Sequence, residues 1–507
     1  MIRKKAGIIV IGISLTAVAV LGFFFLFNKN AEINRGSFNT YNVVVLVSDA
    51  LRADVLGCYG GDARTPNIDW LAGRGVVFEN AYSTAPCTLP SSVSMMTGNY
   101  SRAYGYTLED EYKNLSQKYS FYVNNSETLL GEALKGRGFD VKMDVENNIA
   151  SRSNNLQGFE PFRSIKQMSK EETALVETII RPQFSGRHWG RGEGGWEYGR
   201  MYDLLYYLLT VPADRHFFLL KWFLDPHGAY NPPKMFRERI PLDPSKLSKE
   251  PQFYYNSSLK EIRKLFRANN LSEYELYYVK ALYKAEVEYV DHRVGTVIKA
   301  LKHRGLLEKT IIVFTSDHGE LFGEHGRMGH AHDFYETLVR VPLIIGGPGL
   351  PKGKREKTVV SHLDFTPTLK DLLGVDYSSN MQGKSYSALF HGGVVQDRIA
   401  YFDAITNGVD AKIGMDALLM DGYKLVRQKR KDQPKFAIFN ITDDPGETKN
   451  IVDENPRLFK KMFKKVMEFR KENGARLRQN LAKIDKGVNL SEEWKKSVEQ
   501  LKALGYL

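Results

Sequence analysis

The chain is poor in cysteine, because only Cys58 and Cys87 occur among its 507 residues. Two cysteines cannot build a disulfide framework, so a small disulfide-stapled scaffold is excluded. Internal repeats and long low-complexity stretches are lacking too, and 43% hydrophobic and 26% charged residues are typical of a folded globular protein. A chain of this length predicts one large domain together with a smaller one.

A basic stripe with interleaved aromatic residues is also missing, although the net charge is +12. Lysine and arginine gather instead in scattered clusters such as "PKMFRER" and "PKGKREK", and in the C-terminal segment. This distribution does not favour nucleic acid as a partner. It favours a basic surface that faces anionic lipid or anionic substrates.

The N-terminal region contains one long apolar run, Gly7 to Phe27, which has no charged residue and could cross roughly 30 Å of hydrocarbon. Arg3, Lys4 and Lys5 precede it, which favours a cytoplasmic N-terminus and export of all that follows. We therefore predict a cytoplasmic tip (1–6), a single transmembrane anchor (7–27) and a linker (28–40), with the rest extracytoplasmic. A cleaved signal peptide is the alternative, but its apolar region is normally about 7–15 residues long.

The remaining sequence predicts an α/β fold with a large mixed, mostly parallel sheet flanked by helices. The run "NVVVLVS" at Asn42–Ser48 lacks alternation, as do His216–Leu224, Thr310–Ser316 and a run that begins at Val341, and such runs are typical of strands buried on both faces. Helix-like segments, such as 127–137 and 274–304, lie between them. From about residue 377 shorter strand-like runs and a charged helix (455–483) predict a smaller antiparallel sheet with a helix. The predicted domains are therefore 41–376 and 377–507.

Polar side chains follow three of these strands. Asp49 comes after the first strand, the second runs into "DPHGAY" with His227, and the third runs into "DHGE" with Asp317 and His318. Ligands of open α/β sheets bind at the carboxyl ends of the strands, so these side chains are expected to meet at one edge. Carboxylate oxygens with an imidazole suit a divalent cation.

The octet "APCTLPSS", Ala85 to Ser92, raises the question of whether Cys87 or Thr88 is a nucleophile. Pro90 suits the first turn of a helix, which predicts a helix that begins near Leu89 with Thr88 at or near its N-cap. A hydroxyl there lies at the positive end of the helix dipole, where anions bind and an alkoxide is stabilised. The simpler alternative is that Thr88 only caps the helix.

The order of several motifs identifies the chain as a member of the sulfatase family within the alkaline phosphatase superfamily. The matching pieces cover most of residues 41–507 and include "NVVVLVSDALRADVLGCYGG", "LPSSVSMMTGNY", "FLDPHGAYNPP", "TIIVFTSDHGELFGEHG" and "HLDFTPTLKDLLG". The resemblance implies an alkaline-phosphatase-like fold and an ester hydrolase. Residues 166–207 and 241–271 match weakly and are expected to form substrate-side loops.

The resemblance places Thr88 at the position of the family nucleophile, ten residues before Gly98 and two before Pro90. Sulfatases normally carry a cysteine there, within Cys-x-Pro-x-Arg, and convert it to formylglycine. Cys87 is one residue too early and Ser92 fills the place of the arginine, so no formylglycine is expected. A threonine ester must be opened by attack of water on sulfur or phosphorus, which favours a phosphate or phosphonate ester over a sulfate ester.

The resemblance also implies one divalent metal ion, either Ca²⁺, Mn²⁺ or Zn²⁺. Many relatives have two consecutive aspartates at the first motif, which align here with Asp49 and Ala50, so one acidic ligand is lost. A histidine where sulfatases often have asparagine shifts the preference from Ca²⁺ towards Mn²⁺ or Zn²⁺. The expected ligands are Asp49, Thr88, Asp317 and His318.

Two histidines complete the expected catalytic set. His227 is expected to bind the ester oxygens or to protonate the leaving group, and His330 is expected to serve the leaving side, with His332 as a competitor for that role. Other residues receive weaker or structural roles: Arg52 and Asn147 as candidates for holding the anion, His325 and His362 as structural residues, and Asp291 as a helix position that faces the core.

The sequence thus predicts a membrane-anchored, metal-dependent hydrolase of a sulfate- or phosphate-type ester. Glycans and lipid headgroups are candidates for the substrate, but the sequence does not identify the alcohol. One alternative is a transferase of phosphoglycerol or phosphoethanolamine groups. The other is a non-catalytic descendant that binds anionic glycans or lipids.

Overall fold

The structure, a computed structural model, describes residues 41–104, 123, 127–151, 153–163, 168–180, 195–331, 333–377, 380–395, 399–404, 415–427 and 434–484. The apolar segment 7–27 lies outside these residues, so the anchor remains a prediction. Within the described ranges, no helix is both long and apolar enough to cross a bilayer.

An eight-stranded mixed sheet forms the main layer, as the sequence predicts. Its strands are β1 (Asn42–Ser48), β2 (Gly75–Phe78), β4 (Asp140–Val145), β5 (Glu160–Pro161), β6 (Phe217–Phe223), β7 (Thr310–Ser316), β10 (Leu343–Gly346) and β11 (Lys354–Glu356). They lie in the order β11-β2-β10-β7-β1-β6-β4-β5. Two small pairs accompany it: β3 (Ala81–Tyr82) with β12 (Val360–Ser361), and β8 (Leu321–Phe322) with β9 (Met328–Gly329).

β1 lies at the centre of the sheet and pairs in parallel with β6 on one side and β7 on the other. Its side chains alternate between two hydrophobic layers, with Val44 and Leu46 in one and Val43, Val45 and Val47 in the other. Each is fully buried, which contributes on the order of 1.5–3 kcal/mol per side chain. The uninterrupted apolar run therefore reflects helices on both faces.

The fourth apolar run forms β10, but its direction is opposite to that of its neighbour β7. Residues 317–342 connect the two strands, and this segment includes β8, β9 and the short helix Glu336–Val339. It brings the chain back into the sheet from the edge at which β7 ends, so β10 runs antiparallel to β7. The sheet is therefore mixed at this edge and parallel from β7 to β5.

Helices cover both faces of the sheet. The longest in the main domain, Glu273–His303, begins at a capping box in which Ser272 and Glu275 bond reciprocally. The others in residues 41–377 are Pro66–Gly73, Thr88–Thr97, Leu130–Gly136, Lys170–Ile180, Gly195–Thr210, Lys234–Arg237, Pro251–Asn256, Leu259–Arg267, Glu336–Val339 and Phe365–Leu372.

A second, antiparallel sheet follows, which confirms the predicted change of texture. Its strands are β13 (Ala400–Ala404), β14 (Met415–Met420), β15 (Tyr423–Arg427) and β16 (Phe436–Asn440), in sequential order. Helix Pro456–Ile484 packs on it through Met462 and Val466. The sheet is tied to the main domain by a buried ion pair between Arg102 and Asp403. The boundary at residues 376/377 itself stays a prediction.

Candidate active site

Four neighbouring parallel strands deliver the predicted site residues. β7, β1, β6 and β4 lie side by side, and each ends at the same edge of the sheet. Asp317 and His318 directly follow β7, Asp49 follows β1, and His227 and Asn147 lie shortly after β6 and β4. The predicted convergence of residues that are far apart in sequence is therefore what the topology produces.

Asp49, Asp317 and His318 form the centre of the site. Their potential ligand atoms all lie within 4.8 Å of one another, and all three side chains are buried. His318 Nε2 is 3.6 Å from Asp49 Oδ1 and 3.7 Å from Asp317 Oδ2. The second oxygen of each carboxylate is already engaged, since Asn147 Nδ2 donates to Asp49 Oδ2 at 2.6 Å and the backbone N–H of Ala50 donates to Asp317 Oδ1 at 3.0 Å.

The donor set fits a divalent cation. Asp49 Oδ1 and Asp317 Oδ2 are buried and have no hydrogen-bond partner among the residues that the structure describes. Burial and the facing Asp317 carboxylate raise the pKa of Asp49 to about 6, and burial raises the pKa of Asp317 to about 7. Two buried carboxylates resist ionising together unless a positive charge lies between them. A bound cation would therefore allow Asp49 and Asp317 to be ionised at the same time.

The backbone fixes the orientation of the His318 ring. His318 Nδ1 lies 2.8 Å from the carbonyl oxygen of Gly319, a contact that requires the proton on Nδ1. Nε2 is then the lone-pair nitrogen, and burial lowers the pKa of His318 so that the ring stays neutral. A neutral imidazole oriented in this way is the usual form of a metal ligand.

Thr88 lies at this centre and Cys87 does not. Thr88 Oγ1 is 3.3 Å from His318 Nε2, and Thr88 is the first residue of helix Thr88–Thr97. The helix thus begins one residue earlier than predicted, with Cys87 as its N-cap residue. The Cys87 side chain belongs to a hydrophobic cluster with Leu89 and Val93. The local geometry favours the hydroxyl over the thiol.

The segment before Thr88 is held from two sides. The Ala331 N–H, next to His330, donates to the Pro86 carbonyl at 2.9 Å. The Asp403 N–H, in the C-terminal sheet, donates to the Thr84 carbonyl at 3.0 Å. The position of the hydroxyl therefore depends on both parts of the fold.

His227 and His330 lie next to each other, beside the centre. The His330 ring centroid is 4.5 Å from that of His318 and 5.0 Å from that of His227. Burial lowers the pKa of His227, but Asp49, Glu320 and Asp317 outweigh it, so the net shift is upward and favours the protonated form. A protonated imidazole beside the centre can bind an anion or donate a proton to a leaving group.

Glu320 orients His330. The His330 Nδ1 nitrogen lies 3.0 Å from Glu320 Oε1, and Tyr230 donates its hydroxyl to Glu320 Oε2 at 2.9 Å. The Glu320 carboxylate is fully buried, so these partners hold it in place. No role was predicted for Glu320 or Tyr230 from the sequence, although they stand in the motifs "DHGE" and "DPHGAY". A carboxylate two residues after a candidate ligand was the available signal.

A buried ionic network supports the segment that carries His227. Arg293, from helix Glu273–His303, pairs with Glu146 and bonds to Asp225 Oδ2 at 2.7 Å. Glu146 also accepts the Leu224 N–H at 2.9 Å and pairs with Lys221. The network thus joins β4, β6 and the long helix below the site.

The weaker predictions have mixed outcomes. Arg52 was a candidate for holding the anion, but it is engaged by Asp54 and Glu324, so its role is structural. Asn147 reaches the site as a donor to Asp49. Three residues that were predicted to be structural have contacts that agree with that role: His325 stacks on Tyr335, His362 contacts Ser91 and Thr315, and Asp291 accepts hydrogen bonds from Asn67 and Ile68. His332 lies outside the described residues.

Comparison with known proteins gives consistent matches over most of the chain. Residues 41–375 match the protein family described as Sulfatase, and residues 323–472 match the one described as N-sulphoglucosamine sulphohydrolase, C-terminal. An arylsulfatase of Clostridium perfringens (strain 13 / Type A) is 25% identical over 484 residues, covering 85% of this chain and 95% of the relative.

Solved structures share the fold. The phosphonate monoester hydrolase of Agrobacterium radiobacter superposes with a TM-score of 0.63 at 19% identity, covering 85% of this chain and 96% of the other. The protein BT4656, solved with its substrate D-glucosamine-2-N,6-O-disulfate, gives 0.63 at 20% identity, covering 87% and 99%. The eight-stranded sheet is therefore an arrangement that proteins acting on different esters have in common.

Proposed function

Because the chain belongs to the sulfatase family of the alkaline phosphatase superfamily, we propose that this ester hydrolase uses Thr88 as its nucleophile and prefers a phosphate or phosphonate ester. The observation that carries the proposal is the position of Thr88 Oγ1, 3.3 Å from His318 Nε2 at the first turn of a helix. The curated relatives include enzymes named arylsulfatase, and the solved structures include phosphonate monoester hydrolases. The fold is thus compatible with either ester.

Asp49, Asp317, His318 and Thr88 would hold the divalent ion. When bound, such an ion would lower the pKa of the hydroxyl and neutralise charge on the group that is transferred. The Thr88 hydroxyl lies within hydrogen-bond distance of His318 Nε2, and the backbone N–H groups of Thr88 and Leu89 at the start of the helix would favour a bound anion. Both features support Thr88 as the nucleophile.

Thr88 would release its hydroxyl proton to solvent and attack phosphorus, and the bond from phosphorus to the alcohol oxygen would break. The departing oxygen needs a proton, which His227 or His330 would supply. Water would then attack phosphorus, and one of its protons would return to the Thr88 oxygen as that oxygen is released. A formylglycine hydrate could instead eliminate sulfate through its second oxygen, but threonine carries only one oxygen on Cβ. This difference supports phosphorus over sulfur.

The chemistry can be tested with the purified full chain and aryl phosphate, phosphodiester and sulfate esters, each with Mn²⁺, Ca²⁺ or Zn²⁺. We expect metal-dependent turnover that Thr88→Ala abolishes and that Cys87→Ala, the matched neighbour, retains. Mass spectrometry of the peptide Ala85–Met96 should show a phosphoryl adduct on Thr88. Unchanged turnover in Thr88→Ala would refute the nucleophile, and an aldehyde on Cys87 would refute the assignment of this position.

We also propose that residues 7–27 anchor the enzyme in a membrane with its catalytic domain outside the cytoplasm. The support is the uncharged apolar sequence after Arg3, Lys4 and Lys5. The protein should stay in the membrane pellet after alkaline carbonate extraction with its N-terminal sequence intact. A soluble protein that begins after residue 27 would indicate a cleaved signal peptide instead.

A further inference from the structure

A cleft extends from the active site on the side of His330. It has about 410 Å³ of empty space, open solvent included, and its walls include Phe266, Arg267, Arg327 and His330. Since the His330 ring also contacts the rings of His227 and His318, the cleft lies directly beside the candidate catalytic residues. A substrate whose reacting group lies at Thr88 would place its alcohol half in this direction.

The Arg263 guanidinium lies against Gly329, which belongs to the wall of the cleft. A Cβ atom added to Gly329 would collide with Nη2, Cζ and Nε of Arg263. Gly329 also has a φ of +89°, which side chains with a Cβ rarely adopt. Glycine at this position therefore leaves the space that the guanidinium occupies, one residue from His330.

The Arg263 guanidinium has unused hydrogen-bonding capacity. Its Nε is buried and has no hydrogen-bond partner among the residues that the structure describes. Burial raises the pKa of Glu320; the charges of His227 and His318, the hydrogen bond from Tyr230 and, least, the charge of Arg263 lower it. A buried arginine nitrogen without a partner is costly and is expected to meet an acceptor when a ligand binds.

The following inference rests on the proposed function. We propose that Arg263 is a specificity-determining residue that binds a second anionic group, a carboxylate or a sulfate, on the alcohol half of the ester. A guanidinium presents a fork of donors that matches the paired oxygens of such groups. The preferred substrate class is therefore a doubly anionic ester rather than a neutral aryl or alkyl ester.

The charges around the cleft agree with this class. Among the residues that the structure describes, Arg267, Arg327 and one acidic residue, Asp333, line it, and Asp333 lies 3.4 Å from Arg327. Arg263 itself belongs to helix Leu259–Arg267, within the weakly matching region 241–271 that the sequence analysis assigned to the substrate side. Because this helix differs from the family motifs, a residue on it can determine which alcohol half of the substrate is bound.

The test measures the turnover of three esters of the same acid by the purified full chain. The first has a neutral 4-nitrophenyl leaving group and the second a 3-carboxy-4-nitrophenyl group. The third carries a sulfonate in place of the carboxylate and distinguishes the type of anion. The wild type should prefer the carboxylated ester by about 10–100-fold in kcat/KM, as expected for one charge-assisted contact. Arg263→Met should reduce that ratio to about one, mainly through KM.

Controls separate selectivity from folding. Lys264→Met changes the exposed neighbour on the same helix and should keep the wild-type ratio. Arg263→Lys should retain part of the preference, and Lys264→Met should keep the turnover of the neutral ester within about twofold of the wild type. A wild type that shows no preference, or an Arg263→Met ratio that equals the wild-type ratio, would overturn the inference. Turnover of both esters that survives Thr88→Ala would instead overturn the proposed function.

Discussion

Replacing Arg293 with methionine should test whether the ionic network below the pocket holds the segment that carries His227. Arg293 is 1% exposed and pairs with Glu146 and Asp225. Glu146 keeps Lys221 as a second partner in the variant, whereas Asp225 loses its cation. Removal of one member of a buried ion pair costs roughly 3–5 kcal/mol, because the other charge stays buried without compensation.

The loss of stability in Arg293→Met should depend on pH, in a direction set by the pKa of Asp225. Burial raises the pKa of Asp225, Arg293 lowers it and Glu146 raises it, so loss of Arg293 shifts it further upward. A carboxyl whose folded-state pKa exceeds its unfolded value binds more protons in the folded state, which then loses stability as the pH rises. The deficit of Arg293→Met should therefore be larger at pH 8 than at pH 5.

The measurement is urea unfolding of the full chain at both pH values, followed by kcat with an aryl phosphate. Arg239→Met is the matched control, because the Arg239 side chain is exposed and lies 3.6 Å from Glu288, so its loss should cost about 0–1 kcal/mol. The reasoning fails if Arg293→Met loses no more free energy of unfolding than the control, or if its deficit grows on acidification.

Three further changes probe other parts of the fold. Asp317→Asn should weaken Mn²⁺ binding by at least about 10–100-fold in equilibrium dialysis, and an unchanged affinity would remove Asp317 from the ligand set. Asp291→Ala removes the acceptor of the N–H groups at the start of helix Pro66–Gly73, including that of Asn67. The free energy of unfolding, measured by chemical denaturation, should fall by about 1–3 kcal/mol, and an unchanged value would contradict the capping role. Lys424→Met removes an ammonium buried between two carboxylates and should cost roughly 3–5 kcal/mol, against about 0–1 kcal/mol for the exposed Lys461→Met. Equal losses in these two lysine variants would show that burial of the pair is unimportant.

The ends of the central strands could be predicted from sequence for a physical reason. A strand buried on both faces has to be apolar along its length, so the first polar residue marks its end and the edge at which ligands bind. β1 and β7 have the predicted bounds, and Asp49, Asp317 and His318 converge as expected. The strand direction of β10 was not readable, because an apolar run has the same pattern in either direction.

Side-chain partners were harder to predict than positions. Arg52 and Asn147 were equal candidates in the sequence, and only the fold shows that one meets Asp54 and Glu324 while the other meets Asp49. Arg263 carries no sequence signal at all, since it stands in a region that departs from the family motifs. Its proximity to Gly329 arises from packing between distant segments, which spacing within one segment cannot reveal.

The two backbone hydrogen bonds that flank Thr88, from Ala331 to Pro86 and from Asp403 to Thr84, limit how this protein can be divided. A shortened version that ends before β13 would keep every candidate ligand and still lose one of the two supports of the segment that presents the hydroxyl. The small sheet is thus a structural component of the reaction centre. Variation that truncates or exchanges this C-terminal unit should be tolerated only when the replacement restores an N–H at the position of Asp403.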